Sequence, residues 1–143
     1  MEFLYRGNSM RRVFRPGDRL RTQAIPPEDF RRGDIAAFFP KGPDRPGTVH
    51  RVIGFEDGAL VTMGDNNAAP DRRRVTAADR PELVVSGNRW DGAAFAVPRG
   101  GAGMAQFRFN RLRRAVRNTA GRIFRRFLPA RSKEPAAGNF GRR

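Results

Sequence analysis

Thr48-Val49-His50-Arg51-Val52-Ile53-Gly54-Phe55 runs through Glu56-Asp57-Gly58 and returns as Ala59-Leu60-Val61-Thr62-Met63. The first run is β-branched and apolar around a single histidine. Asp57-Gly58 is a tight-turn signal, because both positions tolerate φ > 0. The stretch therefore reads as a β-hairpin, and it sets the class of the chain. Working outward, Ile35-Ala36-Ala37-Phe38-Phe39 is a short apolar run opened by the turn Arg32-Gly33-Asp34. Arg19 to Ala24 alternates weakly as a strand after the turn Arg15-Pro16-Gly17-Asp18. Glu2 to Arg6 is a short strand, and Ile25 to Phe30 a connector with one helical turn. Lys41 to Gly47 and Gly64 to Arg74 are loops. Leu83 to Ser86 and Ala93 to Val97 close the set around a turn at Asn88 to Gly92. Short strands at this spacing predict a compact, mostly β body spanning residues 1–98.

The period changes beyond Pro98. Arg99-Gly100-Gly101-Ala102-Gly103 reads as a flexible hinge. Phe109, Leu112, Val116, Ala120, Ile123 and Phe127 then recur at spacings of three and four, one face of a helix, with arginines on most of the remainder. Leu128-Pro129 ends it, and Ala130 to Arg143 reads as disordered. The formal net charge is +15. Residues 99–143 hold twelve Arg and one Lys against one Glu, so they carry +12 and the first 98 residues carry +3. A nearly neutral body with a basic helical arm is expected, dispensable for the body's own chemistry. There is no cysteine and one histidine, which excludes disulfides and thiolate metal sites and leaves too few nitrogen ligands for zinc; no metal is expected. No stretch approaches the roughly 20 apolar residues of a membrane span, and Met1 to Arg6 is too short and mixed for a signal peptide. A cytoplasmic location, or a peripheral one at a membrane surface, is expected.

Three stretches carry chemistry. Arg6-Gly7-Asn8-Ser9-Met10 puts a hydroxyl on a turn. The hairpin strand holds His50. Met63-Gly64-Asp65-Asn66-Asn67-Ala68-Ala69-Pro70-Asp71 supplies two carboxylates. A serine hydroxyl is a weak nucleophile until a base takes its proton, and a histidine is largely neutral at pH 7 and able to take it. A carboxylate on the far ring nitrogen fixes the tautomer and stabilises the imidazolium. Either acid can fill that role, although Asp65, inside a Gly-Asp-Asn turn, is also suited to holding its loop.

These stretches together resemble the type I signal peptidase family, in its serine–histidine branch. The family's Gly-x-Ser-Met box and following Pro-Gly-Asp turn are similar to Gly7 to Met10 and Pro16 to Asp18. Gly33-Asp34-Ile35 resembles the second box, His50-Arg51-Val52-Ile53 the third, Gly64-Asp65-Asn66-Asn67 with Asp71 the fourth, and Gly87 the closing glycine. The likeness covers residues 4 to 90. It implies a serine endopeptidase with a polypeptide substrate and no cofactor, in a mostly β fold with serine and base on neighbouring strands. It further implies Ser9 as nucleophile, His50 as base, Asp71 as the orienting acid, and Thr48 and Val49 as a substrate-binding edge; the residues themselves offer the Ser9 amide with the Asn8 side chain at the oxyanion.

Three positions depart from the family pattern. Arg11 and Arg12 follow the Ser-Met where a proline is usual, Gly7 stands where a hydroxyl residue often assists, and no apolar helix flanks the body. The related soluble peptidases use a lysine base, for which Lys41 is poorly placed. Two other readings remain: a peptide-binding module without catalysis, and a nucleic-acid binder acting through the arginines, for which charge is the sole support. For residues 107–128 an anionic membrane surface is the expected partner.

Overall fold

The computed structural model describes residues 1–39 and 47–127. The expected loop from Lys41, the helix end at Leu128-Pro129 and the segment Ala130 to Arg143 lie outside those residues, as do the side chains of Ala120, Ile123, Phe124 and Phe127. Seven antiparallel strands form one sheet: β1 (Glu2–Leu4), β2 (Arg19–Ala24), β3 (Ile35–Phe38), β4 (Thr48–Glu56), β5 (Ala59–Met63), β6 (Glu82–Asn88) and β7 (Ala94–Ala96). The order is β1-β2-β6-β3-β4-β5, with β7 on β6. A helix, α1 (Gly100–Phe127), follows. The mostly β class and the strand positions agree with the sequence reading.

Both faces of the sheet are covered, so β3 is buried at every position. Its alternation still sorts side chains, as the pleat requires. Ile35 and Ala37 join Tyr5, Met10, Phe14, Leu20, Val49 and Val84 in one cluster, while Ala36 and Phe38 join Phe30, Val52, Leu60, Val75 and Leu83 in another. The β4–β5 hairpin turns at Asp57 and Gly58, both at positive φ.

Two expectations are corrected. Serine and base are not on neighbouring strands: Ser9 follows β1 at one end of the order, and His50 is on β4 at the far side. They approach because the sheet curls, bringing Phe3 edge-on to Phe39 with ring centroids 5.8 Å apart. Nor is Arg99 to Gly103 a flexible hinge. α1 begins at Gly100, and Asp34 receives hydrogen bonds from the Gly100 amide at 2.9 Å and the Arg99 guanidinium at 2.9 and 3.3 Å. Gly103 lies so close to the Gly33 carbonyl that a Cβ on either glycine would collide with the other segment. The glycines there serve close helix–body packing, not freedom of movement.

α1 docks through Gly103, Phe107 and Asn110, all buried. Their spacing of four and three makes one stripe along the helix. Phe109, Leu112 and Val116 are 57, 63 and 62 % exposed. The helical arm is therefore part of the folded body along one stripe, and Phe109, Leu112 and Val116 turn away from that stripe.

Candidate active site

Ser9 sits on a turn rooted in the core. Met10 and Phe14 are fully buried, and the Met10 carbonyl accepts the amides of Val13 and Phe14, each at 2.8 Å. Upstream, the Tyr5 amide donates to the Asp18 carbonyl at 2.8 Å and the Gly17 amide to the Tyr5 carbonyl at 2.9 Å. Asp18 is itself buried and accepts the Arg15 amide at 2.8 Å and the Arg89 guanidinium. The Pro-Gly-Asp turn thus fixes the backbone that delivers the serine.

The loop after β5 holds the same turn from the other side. The Asn66 amide donates to the Ser9 carbonyl at 2.7 Å. Gly64 approaches so closely that a Cβ there would lie 2.8 Å from Ser9 Cβ and 2.9 Å from its carbonyl oxygen.

His50 is 8 % exposed on β4. Its Nδ1 is 2.6 Å from Asp71 Oδ2. The same carboxylate oxygen accepts the Thr62 hydroxyl at 2.6 Å, and the Asp71 amide donates to the Thr62 carbonyl at 2.8 Å. Asp71 is clamped by β5 at both backbone and side chain. A carboxylate on Nδ1 favours the tautomer with its proton there, leaving Nε2 as the acceptor. Among the described residues, no hydrogen bond occupies Nε2, and none joins Ser9 to His50.

Ser9 and His50 line one cavity of about 700 Å³. Phe3 to Gly7 form one side of it, Phe39 and Gly47 to Val49 another, and Asn67 contributes a polar side chain. Thr48 and Val49 pair with Phe38 and Ala37 of β3. Pairing with β5 stops at Arg51, so the other backbone edge of Thr48 to His50 is open. β1 pairs with β2 alone. Two unpaired strand edges therefore bound the cavity.

A scan against protein-family models, a search of curated proteins and a search of solved structures each return no match.

The structure brings together Ser9, His50, Asp71, Thr48 and Val49. It places the other two residues elsewhere. Asn8 is exposed and is not part of the cavity wall; its carbonyl accepts the Arg11 amide at 3.2 Å. Asp65 is fully buried in a bidentate pair with Arg51, at 2.8 and 2.9 Å. Arg51 also donates to the carbonyls of Gly33 and Gly103 and to Gln106 Oε1, at 2.8, 3.0 and 3.0 Å, and Asn110 donates to Asp65 at 3.1 Å. Arg111 and Arg114 reach the carbonyls of Asn67 and Asn66. Asp65 thus ties the Ser9-supporting loop to both the sheet and α1.

Sequence reasoning missed Tyr5, Thr62, Gln106 and Asn110. The signal for the last two was present: neutral amides four residues apart, on a helix otherwise dominated by arginine and apolar residues. Tyr5 and Thr62 carried none, since a strand tyrosine or threonine is ordinary β chemistry.

Proposed function

We propose that the chain is a serine endopeptidase of the signal-peptidase type, with Ser9 as nucleophile and His50 as its base. The observation that carries this reading is the 2.6 Å contact of His50 Nδ1 with Asp71, beside Ser9 in one cavity. In the reaction, Ser9 Oγ attacks the scissile carbonyl carbon as its proton passes to His50 Nε2. The tetrahedral intermediate collapses by breaking the C–N bond, and the leaving amine takes the proton from His50. A water then gives a proton to Nε2 and attacks the acyl carbon. Collapse of the second intermediate returns that proton to Ser9 and frees the carboxylic acid product, which gives its proton to solvent. Asp71 holds the ring and stabilises its positive charge. Ser9 and His50 must close to hydrogen-bond distance for the first step, a tightening common when substrate enters. No metal or organic cofactor takes part.

The open edges of β1 and of Thr48 to His50 suit an extended polypeptide, which can bond to both as an added strand. Purified full-length chain should cleave an unstructured peptide library. Ser9→Ala and His50→Ala, checked for folding, should each lose at least about a thousandfold in kcat/KM. Undiminished cleavage by Ser9→Ala would end the reading. If the chain instead binds extended peptides and cleaves none, it is a peptide-binding module.

The same reading locates the enzyme at an anionic membrane surface. A groove of about 380 Å³ beside the Ser9 turn is lined by Arg12, Arg113 and Arg117 with Leu112 and Val116. Three guanidiniums around two exposed aliphatic residues fit a lipid phosphate above the start of its acyl chains. No helix among the described residues is long and apolar enough to cross a membrane; the support for attachment is the composition of this groove. Vesicles containing phosphatidylglycerol should retain the full-length chain at physiological salt, and Leu112→Asp with Val116→Asp should release it. Equal retention by phosphatidylcholine vesicles, or none by either, would refute the attachment.

A further inference from the structure

Tyr5 is a tyrosine at the centre of the site that the mechanism above does not use. It is 4 % exposed, yet it lines the cavity with Ser9 and His50. Its ring packs edge-on against Phe14, with centroids 5.6 Å apart, which fixes where the hydroxyl stands. The Met10 amide donates to that hydroxyl at 3.0 Å. The phenol therefore accepts from the backbone, and its other hydrogen-bonding neighbour is the Ser9 side chain, so its proton is available beside the nucleophile. Burial pushes the phenol's pKa up, with the Met10 amide and the neighbouring Ser9 side chain pulling against it. A raised pKa keeps the proton on the phenol at neutral pH, so the group is a donor rather than a base.

Gly7 shows where the hydroxyl oxygen stands. A Cβ built on Gly7 would lie 2.9 Å from the Tyr5 oxygen and 3.1 Å from two ring carbons. The phenol oxygen thus fills the space that a side chain at residue 7 would take, on the cavity side of the serine turn. The Ser9 amide opens onto the same turn and donates to no acceptor among the described residues.

We propose that the Tyr5 phenol and the Ser9 backbone amide together form the oxyanion site, the phenol supplying the side-chain donor that neither Gly7 nor Asn8 provides. This assignment rests on the serine-peptidase reading. A preorganised donor aimed at the developing negative charge strengthens its bond in the transition state, where the carbonyl oxygen becomes an oxyanion. Tyr5 would then lower the barrier with little effect on ground-state binding.

The test uses the full-length chain and a fluorophosphonate probe, whose phosphoryl oxygen enters the oxyanion site and gains negative charge as Ser9 Oγ bonds phosphorus and fluoride leaves. Tyr5→Phe removes the proton and keeps the ring. Its labelling rate should fall by about a hundredfold, and its kcat on a peptide likewise, with KM little changed. Because the loss of the Met10 acceptor can also weaken the fold, a second variant separates the two effects. In Tyr5→Leu with Gly7→Ser, the ring is cleared and a hydroxyl is returned from residue 7. This double variant should label at least about tenfold faster than Tyr5→Leu, at equal thermal stability. A wild-type chain that takes no label at Ser9 overturns the peptidase reading and this assignment with it. A wild-type chain that labels, with Tyr5→Phe labelling as fast, overturns the Tyr5 assignment alone. So does a folded double variant that recovers nothing over Tyr5→Leu.

Discussion

Asp71 makes three bonds that a loop aspartate has no general need to make. It meets His50 Nδ1, accepts the Thr62 hydroxyl and returns its amide to the Thr62 carbonyl. Thr62 is fully buried, so the carboxylate has little room to turn. Asp71→Asn should preserve the fold and cost about 10³- to 10⁴-fold in kcat, because an amide can present its NH₂ to Nδ1 and favour the wrong tautomer. Thr62→Val leaves the charge in place and loosens its aim, so a smaller loss is expected, on the order of tenfold, as for other groups that orient a ligating or reacting side chain. The pair of measurements separates charge from orientation. If Asp65→Asn impairs turnover more than Asp71→Asn at matched stability, Asp65 is the orienting acid. The sequence could order these two acids only through the turn around Asp65 and the family likeness of Asp71. A residue's distance along the chain does not say that one carboxylate lies on the imidazole while the other lies under an arginine.

At the scale of elements, the strands were legible because their signals are local: Asp-Gly and Gly-Asp turns, an apolar run at β3, β-branched residues along β4. The role of α1 was not. Its apolar face is the loudest pattern in the last third of the chain, and a helix in a globular protein usually buries such a face. Here the buried stripe is Gly103, Phe107 and Asn110, held by polar contacts to Arg51 and Asp65 and by close glycine packing. Hydrophobic periodicity cannot report a stripe in which a single phenylalanine stands between a glycine and an amide. The consequence is measurable. Asn110→Ala removes a hydrogen bond to a buried carboxylate and should cost about 1–3 kcal/mol in denaturant unfolding. Leu112→Ala, on an exposed site two residues away, should stay within about 0.5 kcal/mol. A larger loss for Leu112 would mean that the helix docks by its apolar face. Deletion of residues 99–143 is accordingly expected to disable the Ser9 loop, contrary to the expectation of a dispensable arm. Truncation after Arg117 keeps every described contact to that loop and should retain cleavage of a soluble peptide.

The molecule as a whole is joined at Asp34. This carboxylate is fully buried and receives the Arg99 guanidinium, the Gly100 amide and the Arg31 amide, at 2.9, 2.9 and 3.1 Å. Its backbone is also fixed, the carbonyl accepting the Val52 amide of β4 at 2.8 Å. One residue thus links β4, the turn before β3 and the start of α1. Burial works to raise its pKa, but the hydrogen bonds from Arg99, Gly100 and Arg31 outweigh it and hold the carboxyl below the ordinary aspartate value of 3.8. A carboxylate with a lowered folded-state pKa binds protons more readily when unfolded. Its contribution is fully present above the ordinary value and is lost as pH falls through the lowered one. Other acids titrate in the same range, Asp79 among them, so the total acid loss does not isolate Asp34. The difference between wild type and Asp34→Asn does. It should be constant from neutral pH down to about 4 and should shrink steadily below the ordinary aspartate value. Urea unfolding at a series of pH values gives that difference directly. A wild-type advantage that persists undiminished at pH 2 would show that Asp34 acts through shape and not through its charge, and the joint between sheet and helix would then rest on the Arg51–Asp65 pair.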